Sequence, residues 1–224
     1  WCAHILANAW GFTSPSEDPS WGATYTCGAW IALHLWEHYL YTQDKRYLAE
    51  YAYPILKGSA EFLLDILVED GRGYLVTSPS VSPENDFFEP INGKRVSTSY
   101  GATCDLAIIR EIFAATTSAA KILGVDEALQ QQIKEATVRL YPYQIGKQGG
   151  LQECYHDFEA KDPHHRHLSH LVGVFPGNQI SPEINSELSQ AAMRTIELRG
   201  PRSTGWWRCT SASRSPPTAA TLRR

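Results

Sequence analysis

The chain has 224 residues, 43% hydrophobic and 20% charged, with a net charge of −4. That balance describes a folded globular protein, long enough for one large domain or two small ones. Mild acidity without a basic run in the body of the chain argues against a nucleic-acid partner. No apolar stretch reaches the roughly 18 residues of a membrane span, so no membrane partner is expected.

Taken in order, residues 1–25 read as irregular, with Gly11, Pro15, Pro19 and Gly22 interrupting any period. They also carry Trp10, Phe12 and Trp21, aromatics that a loop shelters against something or offers to a ligand. Residues 28–42, GAWIALHLWEHYLYT, predict a helix that is apolar around most of its circumference and therefore well buried. Asp44 is placed to cap a second helix over residues 45–69, with a stripe through Leu48, Ile55, Phe62, Leu63 and Ile66. Pro54 inside that helix predicts a kink or break, and Asp70, Gly71 and Gly73 end it.

A weak strand signal covers residues 74–77, and LVTSPSVSPENDFF, residues 75–88, follows as a loop. Pro79 and Pro83 each remove a backbone donor and push the preceding residue out of the α region. Glu84, directly after Pro83, is held in a segment that is not regular helix. Two readings compete: a rigid loop presenting one acid for catalysis, or an ordinary surface loop with a solvated glutamate.

A third helix is expected over residues 100–123, closed by Gly124, and a fourth over 127–140, opened by Asp126. Residues 141–150 read as loop, and 151–163 as a short polar, aromatic stretch. HHRHLSHLVGVFPG, residues 164–177, gathers His164, His165, His167 and His170. The spacing of His167 and His170 allows one helical face. A metal site lacks recognisable partner ligands. Arg166 and His167 could instead donate hydrogen bonds to ligand hydroxyls, or the histidines could simply cap and pack. A last helix spans about 185–198. The five cysteines, Cys2, Cys27, Cys104, Cys154 and Cys209, form no CxxC pair and read as small buried hydrophobes. Helix after helix with long loops predicts an all-α layered or barrel-like domain.

GAWIALHLWEHY, LVTSPSVSPEN, RHLSHLVGVFPG and RGPRSTGW occur in this order with helical stretches between them. Together they resemble glycoside hydrolase family 95, the inverting α-L-fucosidases, over residues 1–206. The resemblance implies an all-α (α/α)6 barrel, here incomplete. It implies hydrolysis of terminal α-1,2-linked L-fucose from a fucosylated oligosaccharide or glycan, with inversion and no cofactor or metal. Glu84 matches the family's general acid, Arg166 and His167 match sugar-binding residues, and Trp30 in GAW matches an aromatic of the sugar site. These four residues are expected to share one cleft with Glu84 at its floor. The alternatives are an α-L-galactosidase, another inverting α/α-barrel glycosidase, or a non-catalytic sugar-binding domain.

The family's water-activating asparagine pair and the aspartate of its FQIDxNFG-like segment have no counterpart in this chain. The chain is therefore expected to be an internal fragment, inactive alone, with an open flank exposing Leu33, Trp36 and Leu40. After Trp206 the pattern gives way to WRCTSASRSPPTAATLRR. The domain is accordingly placed at residues 1–206, and residues 207–224 are expected to be a frameshifted, disordered tail.

Overall fold

The structure is a computed structural model and describes Trp10 and residues 18–200. The tail 207–224, Cys2, Cys209, Phe12 and the other residues of 1–17 apart from Trp10 lie outside the described residues. The described residues are largely helical, with a few very short strands.

α1, Pro19–Gly22, is a single turn where irregular chain was expected. Asp18 starts it by accepting from the Ser20 N–H at 2.9 Å. α2 runs Cys27–Thr42 and ends at Gln43, whose left-handed backbone turns the chain. Asp44 caps α3, Lys45–Tyr47, by accepting from the Arg46 and Tyr47 N–H groups. The chain then widens into a π-helical turn, Leu48–Ala52, before α4, Tyr53–Ile66. The break expected from Pro54 takes this form. A proline ring clashes with the carbonyl four residues back and offers it no N–H, and a wider turn relieves both.

α4 stops at Ile66, three residues before the end expected from periodicity. Leu67–Glu69 forms β1 and pairs antiparallel with β2, Leu75–Thr77, matching Val68 to Val76. Gly71 and Gly73 supply the positive φ angles of the connecting turn. The Asp70 carboxylate gathers that turn by accepting from the N–H groups of Arg72 and Tyr74. α5, Thr103–Leu123, closes at Gly124 with φ of 70°. α6, Glu127–Arg139, begins after Asp126, but that side chain does not cap it. Asp126 instead accepts from Tyr53 Oη at 2.7 Å and Lys57 Nζ at 2.9 Å, tying α6 to α4. α7 is Ser186–Arg199, capped by Asn185.

The main core lies among α2, α4 and α5, where Leu56, Leu63, Ile109, Ile112 and Phe113 are essentially sealed from solvent. Each such side chain contributes about 1.5–3 kcal/mol by leaving water. Leu129 and Ile133 fasten α6 to this core. A smaller cluster of Leu151, Leu171, Ile180, Ala191 and Ala192 sits beneath α7. Cys104 and Cys154 are buried free thiols and Cys27 is partly buried.

One expectation about α2 is corrected. It buries only one side, through Gly28, Ala29, Ala32 and Tyr39. Trp30 remains 40% exposed, Ile31 56% and Tyr41 84%. Leu33 and Trp36 are partly covered by the core, and Leu40 is exposed. Apolar composition all round a helix calls for partners all round, and α4 and α5 cover one flank. No helix among the described residues is long and apolar enough to cross a membrane.

Candidate active site

The loop after β2 is organised by alternating anchors. Thr77 and Ser80 are buried and donate to Asp105 Oδ2, at 3.3 and 2.7 Å. Ser80 also exchanges two backbone hydrogen bonds with Ser99, each 2.8 Å long. Val81 is buried, and its carbonyl receives the Cys104 thiol. At the far end, β3, Phe87–Phe88, forms the centre of a three-stranded sheet with β4, Arg95–Val96, and β5, Glu159–Ala160. Phe87 stacks on Phe158 with ring centres 4.1 Å apart. The chain between these anchors has little freedom.

At its centre the Asn85 N–H donates to the Ser82 carbonyl at 2.8 Å, closing a turn with Pro83 and Glu84 at the corner. Buried neighbours on both sides leave Glu84 turned outward, its side chain 34% exposed. Arg166 Nη2 donates to Glu84 Oε2, and His167 Nε2 stands 3.4 Å from the same oxygen. Ser169 Oγ donates to the Pro83 carbonyl at 2.8 Å, docking the histidine-rich segment on the loop.

That segment is held at both ends. His164 N–H donates to Asp162 Oδ1 at 2.9 Å. A 3-10 turn, Ser169–Leu171, closes the other end and buries His170. His167 and His170 therefore diverge. His167 reaches Glu84, whereas His170 Nδ1 lies 3.4 Å from Glu153 Oε1. Among the described residues no three His, Cys, Asp or Glu side chains gather as a metal ion would require. Burial, reinforced by the positive charge of neighbouring His167 and Arg199, pushes His165 below its ordinary value. It is neutral at pH 7 and accepts from the His167 N–H at 3.2 Å.

Trp30 is carried by α2. It lies on the exposed side of α2, one turn beyond Thr26, and is not among the hydrogen-bond or ion-pair partners of Glu84. Of the four residues singled out in the sequence, Glu84, Arg166 and His167 touch, although the first two are 82 positions apart.

A match to the family model for the glycosyl hydrolase family 95 catalytic domain covers residues 1–215. The chain belongs to that family. It is 44% identical over 208 residues to "Alpha-L-fucosidase 2" of Arabidopsis thaliana, covering 92% of this chain and 25% of that protein. It is 32% identical over 222 residues to "Probable alpha-fucosidase A" of Aspergillus niger, covering 93% of this chain and 27% of that protein. The family 95 sequence in hand thus spans about a quarter of the length of these relatives.

Two carboxylates of this family 95 domain, Asp105, which is buried, and Glu153, whose side chain is 19% exposed, escaped the sequence reading. Asp105 lies in the first turn of α5, fully buried, and receives four hydroxyls, from Thr24, Thr26, Thr77 and Ser80. Burial raises its carboxyl above the ordinary value, and the four hydroxyls only partly offset that. Glu153 receives Ser82, Asn85 and Arg199. Burial by itself would raise its carboxyl, but the charges of His170 and Arg199 and the Ser82 hydroxyl outweigh it. They hold it well below the carboxylate range. The available signal was an acid on the apolar face of a helix for Asp105. Glu153 carried none beyond its place in an aromatic stretch. Behind the loop, Ser82, Asn85, Phe87, Glu153, His170 and Arg199 line part of a cavity of about 480 Å³, whose wall does not include Glu84.

Proposed function

We propose that this domain supplies the general acid of an inverting α-L-fucosidase that removes terminal α-1,2-linked L-fucose from glycans. The contact of Glu84 with Arg166 and His167 carries the reading. Glu84 is the one outward carboxylate in a turn whose other polar side chains are committed to partners beneath it. General acid catalysis needs such a group, fixed in direction yet open to the leaving oxygen. Arg166 and His167 offer donors to the sugar hydroxyls beside it. Arg166 donates to Glu84. A bound sugar exchanges those donors for its own hydroxyls and leaves the carboxyl facing the glycosidic oxygen. Trp30 extends the sugar site from α2 as an apolar face. No cofactor takes part.

In this reading residues 1–206 form part of an (α/α)6 barrel, and 207–224 fall outside it. The exposed side of α2 is where further barrel helices pack. Inversion also needs a base-activated water on the opposite face of the sugar, with the two catalytic groups about 6.5–9.5 Å apart. Residues 1–224 carry the acid side of that pair and turn over no glycan alone.

The test is to incubate the complete protein carrying this domain with a 2′-fucosylated oligosaccharide and follow the released sugar by proton NMR. The expected first product is β-L-fucose. First appearance of the α anomer would contradict inversion, and no release of fucose would contradict the substrate.

A further inference from the structure

Ser82 and Asn85 flank the Pro83–Glu84 corner, and both donate to one carboxylate. Ser82 Oγ reaches Glu153 Oε1 and Asn85 Nδ2 reaches Glu153 Oε2, each at 2.7 Å. The turn bearing Glu84 is thus gripped on both sides. Arg199, at the end of α7, donates to the same Oε2, and His170 Nδ1 stands 3.4 Å from Oε1. His170 belongs to the segment that carries Arg166 and His167, and its neighbour Ser169 holds the Pro83 carbonyl. Glu153 is itself referenced to α5, because its carbonyl accepts from the Thr103 N–H at 3.0 Å.

We propose that Glu153 is a positioning residue that fixes the direction of Glu84 relative to Arg166 and His167; the proposal rests on the reading of Glu84 as general acid. A buried ion pair adds little net stability over a well-packed apolar replacement. What this network supplies beyond packing is geometry. Two directional hydrogen bonds set the corner, and one cationic and one histidine partner set the carboxylate. Rotation of the corner would carry the Glu84 oxygens off the line to the leaving oxygen while the sugar contacts of Arg166 and His167 persisted. Misplacement by about 1 Å can cost on the order of 10²-fold in rate.

The test uses the complete protein with two substrates: a 2′-fucosylated glycan, whose leaving group needs a proton, and an aryl α-L-fucoside with an acidic phenol, whose leaving group does not. Glu153→Gln keeps the shape and loses the charge and one acceptor. The expected result is a fall in kcat of about 10²-fold on the glycan, a much smaller fall on the aryl fucoside, and little change in KM for either. Ser82→Ala removes one of the two grips and shows the same selectivity at smaller amplitude. It decides the matter should Glu153→Gln not fold. Equal losses on both substrates, or an undiminished glycan rate, would overturn the positioning role. Glu84→Gln is assayed alongside. If it retains glycan turnover, the acid reading falls and this proposal falls with it. If it is inactive while Glu153→Gln is fully active, the positioning role alone falls.

Discussion

Thr26 Oγ1 donates to Asp105 Oδ1 at 2.7 Å across 79 positions of sequence, joining the start of α2 to the first turn of α5. Thr24 shares that oxygen, while Thr77 and Ser80 take the other. A buried carboxylate is tolerated when its lone pairs are filled. Its place in the first turn of a helix adds a favourable dipole. Because Ser80 lies in the loop that carries Glu84, the joint that fixes two helices also fixes the floor under the candidate acid.

Asp105→Ala is therefore expected to destabilise the domain by about 3 kcal/mol, since it strands several buried hydroxyls. Thr26→Val, which removes a single donor, costs about 1 kcal/mol. Denaturant titrations of the protein carrying each change check this. Equal effects for the two would argue against Asp105 as the common acceptor.

Glu153 and Asp105 respond to pH with opposite signs. Glu153 is held below its ordinary value of 4.5 in the folded state. Its contribution is complete above that value, declines as the pH falls below it, and is gone once the pH has passed the depressed folded value. Asp105 is raised above its ordinary value of 3.8, so its protonated form is favoured by folding. The associated stability is present below that value and is lost as the pH rises through the folded one. Wild type should lose its advantage over Glu153→Gln on acidification and gain relative to Asp105→Asn. Thermal unfolding from pH 7 down to pH 3 reads both trends, and parallel curves for all three proteins would contradict the assignment.

Arg166→Ala removes donors assigned to the sugar. Hydrogen bonds to charged groups are worth about 1.5–3 kcal/mol, which corresponds to a fall of roughly 10–100-fold in kcat/KM. Steady-state kinetics on glycan and aryl fucoside should show similar losses, because binding is shared by both substrates. A loss confined to the glycan would move Arg166 from sugar recognition to proton delivery.

Phe113 and Trp30 separate packing from recognition. Phe113 is 1% exposed in the main core, and Phe113→Ala is expected to cost about 3–5 kcal/mol. Trp30→Ala, at an exposed position, should change stability by less than about 1 kcal/mol while raising KM for the glycan several-fold. Unfolding titrations and kinetics on the same preparations test the pair. An unchanged KM would remove Trp30 from the sugar site.

Helices with a continuous buried stripe were legible in the sequence. The helix expected over residues 100–123 is α5, and Gly124 marks its end, because helical periodicity and left-handed closure are local properties. The sheet around Phe87 was not legible. Its strands are two residues long, too short to show alternation, and β3 pairs with β5 across 71 or more positions. The end of α4 was misread because pairing of Leu67–Glu69 with Leu75–Thr77 overrides helix propensity from outside the window. Glu84, Arg166 and His167 stood out through their motifs. Glu153 did not, because its role depends on Ser82, Asn85, His170 and Arg199 arriving from elsewhere in the chain.

The most direct test of the central claim is the leaving-group dependence of Glu84→Gln in the complete protein. The amide keeps the shape of the side chain but delivers no proton, and general acid catalysis is worth roughly 10²–10⁴-fold. Glycan hydrolysis should fall by that amount, the aryl fucoside with the most acidic phenol should be nearly spared, and substrate binding should persist. Equal loss across the whole substrate series would contradict Glu84 as the acid.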